Sequence, residues 1–189
     1  MSRVVPMPRT DAPCTALWHG LRPQMSAAAE ALSRAVYQET RLSFRVAEGA
    51  RMRIAQINGC LGCNRFRLED DLPRYLAQMD EAGRADFGAD RGPFPPEEFY
   101  QAVADWRVSP LFSDRERLAI EYAERIAESP RDLPYDDAFW TRMHGQFTEA
   151  EIVDLTYSIT GWIATGRFVH VLGFDGSCPI EPAAQHAAE

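Results

Sequence analysis

Glu48-Gly49-Ala50-Arg51-Met52-Arg53-Ile54-Ala55-Gln56-Ile57-Asn58-Gly59-Cys60-Leu61-Gly62-Cys63 is the stretch on which the reading of this chain turns. Up to Ile57 it continues a helical pattern that begins near residue 42. Asn58-Gly59 then stops it, because glycine readily takes the left-handed backbone conformation that closes a helix. The chain restarts as a helix at Cys60, which is predicted to run on towards residue 79. Two cysteines three residues apart at a helix start can join without moving the backbone far. The unpaired N–H groups there favour the thiolate, the reactive form of the side chain. Gly59 leaves the approach to the first sulfur uncrowded. One sulfur can attack a peroxide or a disulfide, and the other can resolve the sulfenic acid or mixed disulfide that results. The plainer alternative is a pair of buried, inert thiols. No metal is expected, since a structural zinc wants four ligands and there is neither a second Cys-x-x-Cys nor a nearby histidine.

Outward from this stretch the pattern is helical in both directions. Residues 1–25, rich in Pro and Arg, are expected to form an extended arm, and Ser26 to cap a helix over 27–38. Residues 83–96 carry the glycines and prolines of a loop. A helix is expected over 97–107. Ser113-Asp114-Arg115-Glu116 fits a capping box and opens a helix through Leu118, Ile120, Tyr122, Ala123, Ile126 and Ala127. A short helix follows over 136–143. Thr148-Glu149-Ala150-Glu151 is a second capping box, leading the longest apolar run, 152–172, which Gly161 and Gly166 are expected to interrupt. No run alternates at period two for long enough to mark a strand. The fold class is therefore all-α, a compact multi-helix bundle over residues 26–175, with 176–189 as a tail. Trp106, Trp140, Trp162, Phe99, Phe112 and Phe168 sit at helical spacings and are expected in the core or at a subunit interface.

Composition narrows the function classes. The chain has 189 residues, 46% hydrophobic and 25% charged, which suits one ordinary globular domain. A formal net charge of -8 argues against nucleic acid and against an anionic membrane surface. All 20 basic residues are arginine, and the absence of lysine excludes Schiff-base and P-loop chemistry. No secretory signal and no run of ~20 apolar residues is evident. A cytoplasmic setting is expected, where a close cysteine pair is more often catalytic than structural. Cys14 and Cys178, near the two ends, are expected to be bystanders that can cross-link chains on oxidation.

The run from Glu48 to Cys63 resembles the carboxymuconolactone decarboxylase superfamily, in its alkylhydroperoxidase D-like branch. The signature there is a Glu, eleven residues, then Cys-x-x-Cys, usually with a His four positions on. The stretch from Trp106 to Ala119 and the helix over 151–173 are also similar, so the resemblance covers about residues 26–175. It implies an all-helical fold that assembles into homo-oligomers, trimers or hexamers with a dimer as the smaller alternative. It implies no cofactor. The chemistry implied is a dithiol cycle on hydrogen peroxide, organic hydroperoxides or a small disulfide, with the dithiol restored by a thiol or lipoylated reductant. Carried over by position, Glu48 is the relay acid or base and Cys60 and Cys63 are the redox pair. Cys63 is expected to be the sulfur activated in the pocket, with Cys60 as exchange partner.

The histidine position departs from the pattern and holds Arg67. An arginine cannot pass a proton, but four residues beyond Cys63 on a continuous helix it is expected to stabilise a thiolate as a fixed charge, or to pair with Glu48, Glu69 or Asp70. His144 and His170 are the candidates to replace the missing relay through space, although a structural histidine is the commoner case. Two further readings stand beside the peroxidase. A lactone decarboxylase-type lyase would use Arg67 and Glu48 and leave the dithiol without a task. A non-catalytic helical oligomer would use the dithiol only as a redox sensor.

Overall fold

The computed structural model describes residue 3, residues 21–79 and residues 89–174, and among them every regular element is helical. Among the described residues eight α-helices have defined bounds: α1 (Pro23–Gln38), α2 (Phe44–Asn58), α3 (Leu61–Arg65), α4 (Leu68–Met79), α5 (Glu97–Ala102), α6 (Asp114–Glu128), α7 (Asp137–Gln146) and α8 (Glu149–Val171). Three 3-10 turns join them, at Ala89–Arg91, Val103–Asp105 and Leu133–Tyr135. The all-α expectation holds among these residues. Most of the arm and the whole tail expected at the two ends lie outside the described residues, as do Cys14 and Cys178.

The helix ends follow local chemistry. Ser43 caps α2 by accepting from Val46 N–H, and Asp136 caps α7 through Phe139 N–H. Both predicted capping boxes form completely, Ser113 with Glu116 on α6 and Thr148 with Glu151 on α8. Each cap satisfies a donor that the helix itself leaves unpaired, an interaction worth about 1 kcal/mol. Gly59 ends α2 at φ 67°, as the Asn-Gly pair predicts.

Four boundaries differ from the sequence reading. The first helix opens at Pro23, before Ser26 and inside the segment expected to be extended, because proline suits the first turn, where its missing N–H has no helical partner. The helix expected over 60–79 breaks at Phe66, which turns extended at φ -60° and ψ 129°, and Asp71 accepts the Arg67 N–H at 2.6 Å to start α4. The helix expected over 97–107 ends at Ala102 and tightens into the 3-10 turn. Gly161 and Gly166 do not interrupt α8. They are thinned contact points: a Cβ on Gly161 would touch Val36 of α1 at 3.6 Å, and one on Gly166 would strike Asn58 Nδ2 at 2.5 Å.

α2 is the buried axis. It packs chiefly against α6 and α8, which also touch each other, and most of its fifteen residues are buried, Glu48 and Arg51 included. The α2–α6 approach is close, since a Cβ on Gly49 would lie 3.1 Å from Ile120. The main apolar cluster joins Leu42, Val46, Ala50 and Ile54 to Leu118, Tyr122, Phe139, Met143, Leu155 and Ile159. Each large side chain so buried contributes ~1.5–3 kcal/mol. A second cluster gathers Met52, Ala55, Phe99, Tyr100, Val103, Trp106, Phe112 and Ile120 on another face of α2. Of the aromatics singled out, Phe99, Phe112 and Trp106 are core, Trp140 and Trp162 are half-buried, and Phe168 is exposed. No described helix is long and apolar enough to cross a membrane.

Candidate active site

Cys60 stands in the position of the N-cap of α3: its Sγ accepts the N–H of Cys63 at 3.3 Å. The two sulfur-bearing residues thus share one turn, held by the backbone rather than by chance proximity. Cys60 is buried at 1% exposure, whereas Cys63 is half-buried. The exposure bears on one half of the expected division of labour, the role of Cys60 as exchange partner. An exchange partner for an outside thiol must be reachable, and Cys60 is the less reachable of the two. Cys60 packs with Val169 and Phe174, and Cys63 bridges that cluster to the one around Met52 and Phe99.

A five-residue helix has almost no internal hydrogen bonding, and most of its end carbonyls need outside partners. Three side chains supply them. Arg51 reaches up from α2 and donates to the carbonyls of Cys63 at 2.7 Å and Phe66 at 3.0 Å. Its Nε donates to Glu48 Oε1 at 2.7 Å, and its guanidinium lies 5.1 Å from the Phe66 ring centroid. Asn64 donates its amide to the carbonyls of Cys60 at 2.8 Å and Ala55 at 2.9 Å, tying α3 to α2. Arg67 donates to the carbonyls of Asn64 and Phe66.

Arg51 is 3% exposed and Glu48 1%. Burial alone would drive the guanidinium to lose its proton, but the charge and hydrogen bond of Glu48 outweigh it, and Arg51 is held more firmly protonated than a free arginine. Glu48 Oε2 is buried with no hydrogen-bond partner among the described residues. Tyr100 stands near this pair. Its burial and then the Glu48 charge push the phenol upward, so it stays neutral and accepts the Leu68 N–H at 3.4 Å.

Arg67 is not placed as expected. α3 ends at Arg65, so the i, i+4 relation to Cys63 on one helix face does not exist. Its guanidinium forks instead onto Glu97, with Nε to Oε2 at 2.6 Å and Nη2 to Oε1 at 2.9 Å, and lies 4.5 Å from the Tyr100 ring centroid. The Arg67 hydrogen bond holds the Glu97 carboxyl below its usual range. The lyase reading asked Arg67 to hold a substrate carboxylate with Glu48 beside it, yet each already holds another partner of its own. His144 is exposed on α7 with Nδ1 3.8 Å from Glu149. His170 lies elsewhere, its ring against Gly59 at the dithiol turn, with Cε1 3.4 Å from where a Cβ would sit. Among the described residues no three His, Cys, Asp or Glu are placed to hold a metal ion.

The sequence reading missed Arg51, Asn64 and Glu97. Only Arg51 carried a signal, its i, i+3 spacing from Glu48 inside the quoted stretch.

The described helices form an alkylhydroperoxidase D-like fold. A solved structure from Agrobacterium tumefaciens, described as a protein of unknown function and a candidate antioxidant defence protein AhpD, superposes at a TM-score of 0.60 over 92% of this chain and 97% of its own, at 21% identity. The uncharacterized protein YnjA of Escherichia coli is 53% identical over 67 residues, 35% of this chain and 36% of that relative, so the match spans about a third of its length. No family model matches the chain.

Proposed function

We propose that the protein is a thiol-dependent peroxidase and disulfide oxidoreductase, with Cys60 and Cys63 as its redox pair. The single observation that carries this reading is the Cys63 N–H donating to Cys60 Sγ, with Cys63 itself open to solvent on one side. The amide hydrogen bond favours the thiolate of Cys60, the form in which it resolves a sulfenic acid on Cys63, and the shared turn brings the two sulfurs together. Cys63, the more accessible residue, attacks the outer oxygen of a hydroperoxide. An S–O bond forms, the O–O bond breaks, and the alcohol leaves with one proton. Cys60 then attacks the sulfenic sulfur of Cys63, forming the disulfide and releasing water. Two thiols and one hydroperoxide thus give one disulfide, one alcohol and one water. An external dithiol, of thiol or lipoyl type, reduces the pair again by exchange at Cys63.

The substrate class follows from the walls. Cys63 packs against apolar residues of two clusters, one including Met52 and Phe99 and the other Val169 and Phe174, which supports organic hydroperoxides beside hydrogen peroxide. Glu48 and Arg51 act as positioning residues in this reading: the guanidinium fixes the Cys63 and Phe66 carbonyls and hence the turn. Self-association is supported by the row of exposed apolar residues on α8, Val153, Tyr157, Phe168 and Val171.

Cys60→Ser and Cys63→Ser are each expected to abolish thiol-dependent peroxide consumption. Trapping free thiols before and after one equivalent of peroxide should show a two-hydrogen mass loss confined to the peptide carrying residues 60 and 63. Turnover surviving in both serine variants removes the reading.

A further inference from the structure

The dithiol turn lacks a proton carrier of its own. The position four residues past Cys63 is Arg67, whose guanidinium is committed to Glu97 and two carbonyls. Glu48 is committed through Oε1 to Arg51. The imidazole against the turn comes from the far end of the chain, on α8. Its Cε1, Nε2 and Nδ1 lie 3.4, 3.5 and 3.9 Å from the point where a Cβ on Gly59 would sit, so the ring rests on the residue before Cys60. Val169, its neighbour on α8, packs directly on Cys60, and Cys63 packs against the same cluster.

This placement is fixed by three contacts one turn earlier. Asn58, the last residue of α2, donates to the Trp162 carbonyl at 3.2 Å and accepts from Arg167 Nε at 3.0 Å. Gly166 has no side chain to hold Asn58 off, and a Cβ there would meet its amide at 2.5 Å. α8 is thereby seated on the end of α2, and the next turn delivers residue 170 onto Gly59. Gly59, at φ 67°, takes a backbone conformation that disfavours a side chain, and the ring packs at ordinary van der Waals distance over the open position. The ring is also exposed, as a group exchanging protons with solvent must be.

We propose that His170 is the proton-transfer group of the dithiol centre, supplied by α8 in place of a histidine on the cysteine helix. The inference rests on the peroxidase reading above. The neutral imidazole takes the proton from the Cys63 thiol. The thiolate attacks the hydroperoxide, sulfur gives up two electrons to the breaking O–O bond, and the departing alkoxide takes the proton back from the imidazolium. General acid–base help of this kind is worth ~10²-fold or more in rate.

The test is single-turnover oxidation of the reduced protein by hydrogen peroxide, followed by thiol trapping across pH 5 to 8, for wild type, His170→Gln and His170→Ala. His144→Gln, on the exposed end of α7, is the control. Charged groups on the surrounding elements include Arg167 on α8, Arg65 on α3, Glu128 at the end of α6, Glu48 and Arg51 on α2, and Arg3, whose N–H meets the Leu172 carbonyl. The two thiols are common to every variant, so a change of profile confined to the His170 variants points to the imidazole. Both His170 variants should react ~10²-fold more slowly at pH 7 with a flattened profile. Free imidazole should restore the rate of His170→Ala, and the control should match wild type. Equal rates in wild type and His170→Gln overturn the inference and leave the peroxidase reading standing. A slow variant with an unchanged profile and no rescue overturns it as well, since that is the mark of a packing role. If wild type itself ignores peroxide, the peroxidase reading falls. His170 is then judged on the pH dependence of iodoacetamide alkylation, where equality of variant and wild type overturns it.

Discussion

α3 and α6 are both opened by a capping side chain that accepts the N–H of the third helical residue, yet the two caps serve different ends. Ser113 caps a fifteen-residue helix whose buried face carries Leu118, Ile120 and Tyr122. Its cap adds to a stability that packing already provides. Cys60 caps five residues with no buried member in the helix proper. That segment holds its shape because Arg51, Asn64 and Arg67 take its carbonyls. The lesson is that the dithiol turn is a suspended structure. Polar clamps from neighbouring segments fix its geometry, which suits the proposed role of its capping sulfur as an atom that changes its bonding.

The clamp should therefore be where the molecule breaks most easily. Arg51→Met leaves the Glu48 charge buried without its partner and frees two carbonyls, which should cost ~3–5 kcal/mol in urea unfolding. Pairing the change with Glu48→Leu removes the stranded charge and should recover most of that loss. Stability would then return without the turn, so peroxide oxidation of the dithiol should stay slow in the double variant. A double variant with full stability and full reactivity would mean that the Arg51 clamp does not set the turn.

A second pair sharpens the contrast between the caps. Ser113→Ala removes the oxygen that α6 uses and should cost about 1 kcal/mol. Cys60→Ser keeps an acceptor for the Cys63 N–H but buries a hydroxyl against Val169 and Phe174, so it should cost ~1–3 kcal/mol through burial and not through loss of the cap. The same variant should have lost its redox chemistry entirely. Equilibrium unfolding and thiol trapping on one set of samples separate the two effects.

Acid should distinguish them too. Glu116 is buried, which pushes its carboxyl upward, but the Arg45 hydrogen bond at 2.5 Å and the Ser113 cap outweigh burial and leave it below the usual carboxylate range. Its stabilising contribution is present above the unfolded-state value of about 4.3 and is lost as pH falls through the lower folded-state value. Glu151 on α8, held down against its burial by the Thr148 cap and Arg115, behaves in the same direction. Urea midpoints should therefore fall below pH 4 in wild type and fall less steeply in Glu116→Gln. The Cys60 cap carries no carboxylate and should add nothing to this slope.

What the sequence disclosed follows the same division. Asn58-Gly59 and both capping boxes were readable because the residues that make them lie within four positions of one another. Gly161 and Gly166 were misread as interruptions because their purpose is tertiary: one clears Val36, the other Asn58. The break at Phe66 has neither a proline nor a glycine to announce it. It arises from Asp71 accepting the Arg67 N–H and from Arg51 and Arg67 both donating to the Phe66 carbonyl. Among 20 arginines and no lysines, composition could not single out Arg51 as the buried one. Its spacing from Glu48 was the only hint. The expected role for Arg67 failed for a related reason, since it assumed a continuous helix past Cys63 when α3 ends at Arg65.

The smallest expected effect on rate is the most pointed. Arg67→His restores the Cys-x-x-Cys-x-x-x-His spacing that Arg67 interrupts. On sequence alone the change should install a proton relay and raise peroxide turnover. In the fold, residue 67 lies beyond the end of the dithiol helix, with its side chain over Tyr100 and against Glu97. An imidazole there is shorter than the guanidinium it replaces and loses the two-pronged grip on Glu97. The expected outcome is a loss of about 1 kcal/mol from those hydrogen bonds and an unchanged rate of dithiol oxidation at pH 7. A rate that rises with the histidine would place residue 67 within reach of the sulfurs, and the clamp would then have to be redrawn as part of the reacting centre.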